Sequence, residues 1–103
     1  MDHRELAAEL FLSDCNCAQA VLEAFSDVTG LEKSFAAKLA SSFGGGMGRM
    51  REVCGAVSGM LMVAGLLYGY DDPGENDVNK KAHYQLVQNL AGQFREKIGS
   101  IIC

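Results

Sequence analysis

Four cysteines, Cys15, Cys17, Cys54 and Cys103, carry most of the chemistry open to this 103-residue chain. Cys54 lies in Phe43-Gly-Gly-Gly-Met-Gly-Arg-Met-Arg-Glu-Val-Cys-Gly-Ala-Val-Ser-Gly59, a glycine-rich stretch with Arg49 and Arg51 that feeds a small-residue apolar helix. Gly55 and Gly59 lack a Cβ, so other backbones can come close to that cysteine. The two arginines and the start of the helix favour a thiolate at Cys54, the form that acts as nucleophile and as metal ligand.

Cys15 and Cys17 flank the first turn of a second helix. Two residues apart on a helix is about 200° of rotation, so their side chains point nearly opposite ways and do not act as a pair. Cys17 aligns with Val21, Ala24 and Val28 and is the inward-facing one. Both sit near a helix N-terminus, which favours a thiolate, but Cys15 taken alone reads as a small buried hydrophobe. His3 and His83 have no second histidine at ligand spacing, and His83 on the last helix reads as a surface or half-buried residue. Met47, Met50, Met60 and Met62 read as core filler. Ser58 has no nearby His/Asp set, and no Cys-x-x-Cys-His occurs for covalent haem. The run at residues 44–48 has neither the preceding strand of a dinucleotide fold nor Gly-Lys-Ser/Thr, so it reads as a tight helix-to-helix turn beside the cysteine site.

The elements that must position these residues are helices, with no convincing strand alternation. Asp2 and Glu5 have capping-box spacing ahead of Leu6, Ala7, Leu10 and Phe11. Ser13 or Asp14 is expected to cap a second helix carrying Val21, Leu22, Phe25 and Val28, which stops near Gly30. Leu31, Phe35, Leu39 and Phe43 mark a third helix that ends at Gly44. The fourth is expected from about Arg51 to Gly69. A turn-rich loop at residues 70–76 holds Pro73, the only proline. The fifth starts near Asn76 or Asp77, carries Leu86, Val87, Leu90, Phe94 and Ile98 along one side, and stops at Gly99. The apolar tail after Gly99 is expected to dock on the bundle through its isoleucines and to carry Cys103 toward Cys17 and Cys54. The expectation is a single all-α domain over residues 1–103, about five helices bundled around the apolar, Gly/Ala-rich fourth helix.

Composition narrows the function. The chain is 49% hydrophobic with a net charge of -4. Its nine basic residues are scattered, so nucleic acid is not an expected partner. Residues 53–70 are free of charge over the minimum length of a membrane helix, yet the one-sided helices around them need an apolar partner, so no membrane span is expected. No secretory signal opens the sequence, and a cytoplasmic location is the expectation. Cysteines in such a chain point to thiol chemistry or metal binding before a disulfide framework.

Four segments in order, Asn16-Cys-Ala-Gln-Ala-Val-Leu22, Phe43-Gly-Gly-Gly-Met-Gly48, Cys54-Gly-Ala-Val-Ser-Gly59 and Gly99-Ser-Ile-Ile-Cys103, resemble the C_GCAxxG_C_C family, whose redox-active label rests on its cysteine pattern. The resemblance places the family's first three cysteines on Cys17, Cys54 and Cys103, while Cys15 matches none. Val53 precedes Cys54 and Gly55 follows it, where the family name puts glycine first. The last family cysteine has no counterpart in these residues.

Three readings follow. The preferred one is a small redox protein in which Cys54 reacts and Cys17 or Cys103 resolves it, with Arg49, Arg51, Gly55 and Gly59 in support and an unidentified redox partner. The second is a module binding zinc or an iron–sulfur cluster through Cys17, Cys54 and Cys103. The third is a structural module that forms a homodimer through its small-residue helix. Only Cys54 combines the electropositive and accessible setting that a reactive cysteine requires, which decides the preference.

Overall fold

A computed structural model of the chain describes residues 2–70 and 77–103. Three of the helices begin where a side chain takes up free backbone N–H groups. Asp2 accepts from the Glu5 N–H at 2.7 Å and opens α1 (His3–Leu12). Asp14 then takes a left-handed φ of 79° and reverses the chain. Neither Ser13 nor Asp14 caps the next helix. Asn16 does so: its side chain accepts from Gln19 N–H at 2.9 Å, and the Gln19 side chain accepts from Asn16 N–H at 3.0 Å. Such a reciprocal cap is worth about 1 kcal/mol.

That cap starts α2 (Cys17–Ala24), which gives way at Phe25 to the short α3 (Ser26–Thr29). The single second helix expected from the sequence is therefore two, and Gly30 ends it with φ 77°. Glu32 caps α4 (Lys33–Ala40), which tightens into a 3-10 turn at Ser41–Phe43. A folded glycine turn, α5 (Gly44–Met47), follows, with left-handed Gly45 and Gly46 inside it. Next come α6 (Gly55–Tyr68) and the 22-residue α7 (Asp77–Ile98), which ends at Gly99 with φ 102°. The expected loop around Pro73 lies outside the described residues.

The architecture is all-α, and no strand occurs among the described residues. An isolated antiparallel bridge joins Val53 to Ile102. The helix at the centre is α2 rather than the glycine-rich α6. α2 packs against α1, α4 and α6, and five of its eight residues are buried: Ala18, Ala20, Leu22, Glu23 and Ala24. α6 is apolar all round for a different reason. Its first half is buried against α2, while Leu66, Leu67 and Tyr68 at its far end remain exposed.

Alanines make the core shallow. Ala18, Leu22, Ala36, Ala40 and Val63 form it, with Phe25, Leu31, Phe43 and Met62 packed around. Leu22 and Val57 are the largest fully buried side chains. Small side chains let helices approach closely, and Gln19 uses that proximity to donate from Nε2 to the Ala37 carbonyl at 3.0 Å. Gly55 and Gly59 belong to the same contact. A Cβ on Gly59 would stand 2.9 Å from Val21 Cβ and 3.0 Å from the Ala18 carbonyl oxygen. The Gly55-xxx-Gly59 face is thus spent inside the chain, against α2.

Candidate functional site around the glycine turn

Residues 44–54 do not enter α6 as helix, because the backbone is left-handed at Met47, Arg49 and Arg51 as well as at Gly45, Gly46 and Gly48. A left-handed non-glycine residue costs about 1 kcal/mol and persists where its surroundings hold it. Here the holding is done by hydrogen bonds. Arg51 N–H donates to the Gly45 carbonyl at 3.3 Å, and Glu52 N–H to the Gly46 carbonyl at 3.0 Å. Val53 is then extended, and Cys54 stands at the N-cap of α6, four residues later than the helix start expected from sequence.

Three glycines bring the cysteine-bearing segments together. A Cβ on Gly44 would fall 2.5 Å from the Asn16 side chain, so the turn lies directly on the cap that precedes Cys17. At Gly46 the same atom would be 2.7 Å from Cys103 Cβ and 2.8 Å from the Glu52 nitrogen. At Gly55 it would meet Cys17 Cβ and the Ala18 nitrogen, each at 3.1 Å, and the Phe43 carbonyl oxygen at 3.0 Å. Cys17 opens α2 and Cys54 precedes α6, so the N-termini of both helices converge here.

The tail closes the site from the other side. Past Gly99 the chain turns back, and Cys54 N–H donates to the Ile101 carbonyl at 2.7 Å while Cys103 N–H donates to the Glu52 carbonyl at 2.7 Å. Docking rests on these backbone bonds more than on the isoleucines, since Ile102 keeps 51% of its surface exposed.

All four cysteines are free. Cys17 is half-buried in an apolar hollow with Phe11, Val21 and Ala56. Cys54 is half-buried and Cys103 exposed. Arg51 donates from Nη1 to Cys103 Sγ at 3.7 Å, so its guanidinium serves the tail cysteine rather than Cys54. Arg49 lays its side-chain stem beside Gly45.

Cys15 stands apart. Its thiol donates to Glu23 Oε2 at 3.2 Å. Burial pushes the Cys15 thiol above its ordinary value, and the Glu23 hydrogen bond and charge push it further, with Asp14 adding to the effect. The helix N-terminus therefore does not activate Cys15. Glu23 escaped the sequence reading although it is the only charged residue between Cys17 and Phe25, a signal that was there to use. Asn16 escaped too: asparagine caps a helix as well as serine or aspartate, but Ser13 and Asp14 come first along the chain.

Among the described residues, no group of three or more His, Cys, Asp or Glu side chains is placed to hold a metal ion. The zinc and iron–sulfur reading of Cys17, Cys54 and Cys103 thus gains no geometric support. No described helix is long and apolar enough to cross a membrane.

Comparison with curated proteins and with solved structures yields no match. Among protein families, residues 15–103 match the one described as "Putative redox-active protein (C_GCAxxG_C_C)". The match takes in all four cysteines, the glycine turn and the tail that folds back on it. The chain belongs to the C_GCAxxG_C_C family.

Proposed function

We infer that the chain is a small thiol–disulfide redox protein in which Cys54 is the reactive thiol and Cys17 or Cys103 resolves it. The observation that carries this reading is the glycine turn, on which the segments bearing all three cysteines lie. Family membership supports the redox class.

The chemistry is an exchange with a disulfide of a partner molecule. Cys54 thiolate attacks one partner sulfur, forming a mixed disulfide and releasing the other partner sulfur as a thiol. The thiolate of Cys17 or Cys103 then attacks the Cys54 sulfur and releases the second partner thiol. One partner disulfide becomes two thiols, and two protein thiols become one disulfide. Strain in the turn and the backbone clip of the tail give the exchange a mobile edge, since locally held segments open more readily than the α2 core.

Oxidised glutathione at neutral pH tests this, with thiols counted before and after and the bonds mapped by mass spectrometry. The expected result is a loss of two thiols per chain into one internal disulfide that includes Cys54. With both resolving cysteines replaced by serine, a Cys54–glutathione adduct should accumulate. The single Cys17→Ser and Cys103→Ser variants identify the resolving residue. A Cys54→Ser chain that loses the same two thiols at the same rate overturns the reading.

A further inference from the structure

Among the left-handed residues of the glycine turn, two are arginines. Arg49 and Arg51 have φ of 68° and 62°, in a run they share with Gly45, Gly46, Met47 and Gly48. Glycine would meet this geometry freely, whereas a larger residue costs about 1 kcal/mol. The reason for arginine therefore lies in its side chain, and strained residues of this kind gather at ligand-binding sites. Neither side chain is tied up inside the chain. Both are exposed, and among the described residues no carboxylate pairs with either guanidinium. Arg51 donates once, from Nη1 to Cys103 Sγ at 3.7 Å, and the Arg49 guanidinium has no hydrogen-bond partner among the described residues.

Gly45 brings the two side chains to one place. A Cβ there would stand 2.9 Å from Arg49 Cγ and 3.9 Å from Arg51 Nη1. The Arg49 stem, the Arg51 guanidinium and the exposed Cys103 thiol thus gather on one side of the turn. The chain as a whole carries a net charge of -4, so this is a local reversal of sign. Glu52, the nearest carboxylate in sequence, is exposed and pairs with neither arginine. A guanidinium with free donors takes a carboxylate through paired N–H groups in one plane. Here the carboxylate it takes would lie against a thiol.

We propose that Arg51, with Arg49 beside it, selects disulfides that carry a carboxylate near the reacting sulfur, by binding that carboxylate at the Cys103 side of the turn. The arginines are specificity-determining residues for the exchange, a role separate from any effect on the thiols' own ionisation. The substrate class rests on the thiol–disulfide chemistry inferred above. The attraction of an anion to the Cys103 thiol does not, and it can be measured by itself.

Alkylation of the reduced chain by iodoacetate and by iodoacetamide, read cysteine by cysteine by mass spectrometry, measures that attraction. The same thiolate attacks both reagents, so the ratio of their rates cancels its ionised fraction and reports the charge beside each sulfur. Arg51→Gly should lower the iodoacetate-to-iodoacetamide ratio at Cys103 at least about threefold, the scale of an exposed charge interaction. Its melting temperature should not fall, because glycine suits the backbone there. Arg51→Lys should keep most of the ratio. Lys33→Gln, which removes the same net charge beside Asp2 and His3, should leave it unchanged. In about 1 M salt, where the screening length is about 3 Å, parent and Arg51→Gly should converge. With disulfides, anionic glutathione disulfide should oxidise the parent faster than cationic cystamine, and Arg51→Gly should narrow that margin by the same factor. A Cys103 ratio unmoved by Arg51→Gly overturns the attraction, and with a lowered melting temperature it assigns Arg51 to holding the tail. Oxidation by both disulfides with a margin that Arg51→Gly leaves unchanged overturns the selection while the exchange reading stands. A parent that neither disulfide oxidises overturns the exchange reading and the substrate class with it.

Discussion

Cys15 and Cys17 share a helix start, yet their surroundings differ: Cys15 lies against Glu23 and Cys17 in an apolar hollow. Cys15 gives its proton to a hydrogen bond with Glu23, a carboxylate only 8% exposed, so ionising the thiol would set two negative charges side by side. Linkage gives the consequence a sign. The thiol's folded value is raised above its ordinary 9.0, so its contribution to stability is complete below about pH 9 and is lost as pH rises through the folded value. Denaturant titrations from pH 7 to 10.5 should show a steeper alkaline loss in the parent than in Cys15→Ser. In the native protein Cys15 should alkylate more slowly than Cys54, and Glu23→Gln should narrow the gap by accelerating Cys15. Equal rates in the parent, or no change on removing the carboxylate, would show that Glu23 does not hold the thiol. Arg51 makes the opposite kind of contact, offering Cys103 Sγ a charged donor.

Among the elements, the glycine turn is the one whose sequence is least free to vary. Gly46 combines a φ of 75° with a Cβ position 2.7 Å from Cys103 Cβ and 2.8 Å from a backbone nitrogen. Gly46→Ala is therefore expected to cost about 1–3 kcal/mol and to detach the tail, seen as a lower urea midpoint and faster alkylation of Cys103. Gly92→Ala is the control: its Cβ meets nothing within 4 Å, and it sits inside α7, where alanine is the better helix former. A Gly46→Ala chain as stable as that control would mean the turn has room to spare. Helix ends marked by local chemistry, such as Asp2, Gly30 and Gly99, were legible in the sequence. The start of α6 was not, because the left-handed backbone at Arg49 and Arg51 arises from hydrogen bonds to Gly44–Gly46 that no residue type announces.

At the scale of the whole molecule, the all-α class was legible because apolar residues recur at helical spacing throughout. The choice of central helix was not. Hydropathy pointed to α6, whereas burial went to α2, whose alanines score as bland but permit three helices to close on it at once. That the three family cysteines lie on segments gathered at one turn was foreshadowed by the resemblance, but the means was not. A backbone clip, rather than a greasy tail, holds Cys103 beside the turn. The shallow alanine core also explains why so many large apolar side chains remain outside, among them Phe11, Leu12, Phe35 and Tyr68.

The clip between the tail and residues 52–54 closes a ring of about fifty residues, which costs about 3.5 kcal/mol of chain entropy beyond a constant. Two backbone hydrogen bonds return only about 1 kcal/mol each, so the ring cannot form until α6 and α7 already lie together. It is therefore expected to form late in folding and to open more readily than the α2 core. Hydrogen exchange should therefore find the amides of Cys54 and Cys103 opening far more often than those of Leu22 and Ala24, and doing so without unfolding the chain. Each opening would bare the half-buried Cys54 thiol, while the already exposed Cys103 leaves its place beside the turn.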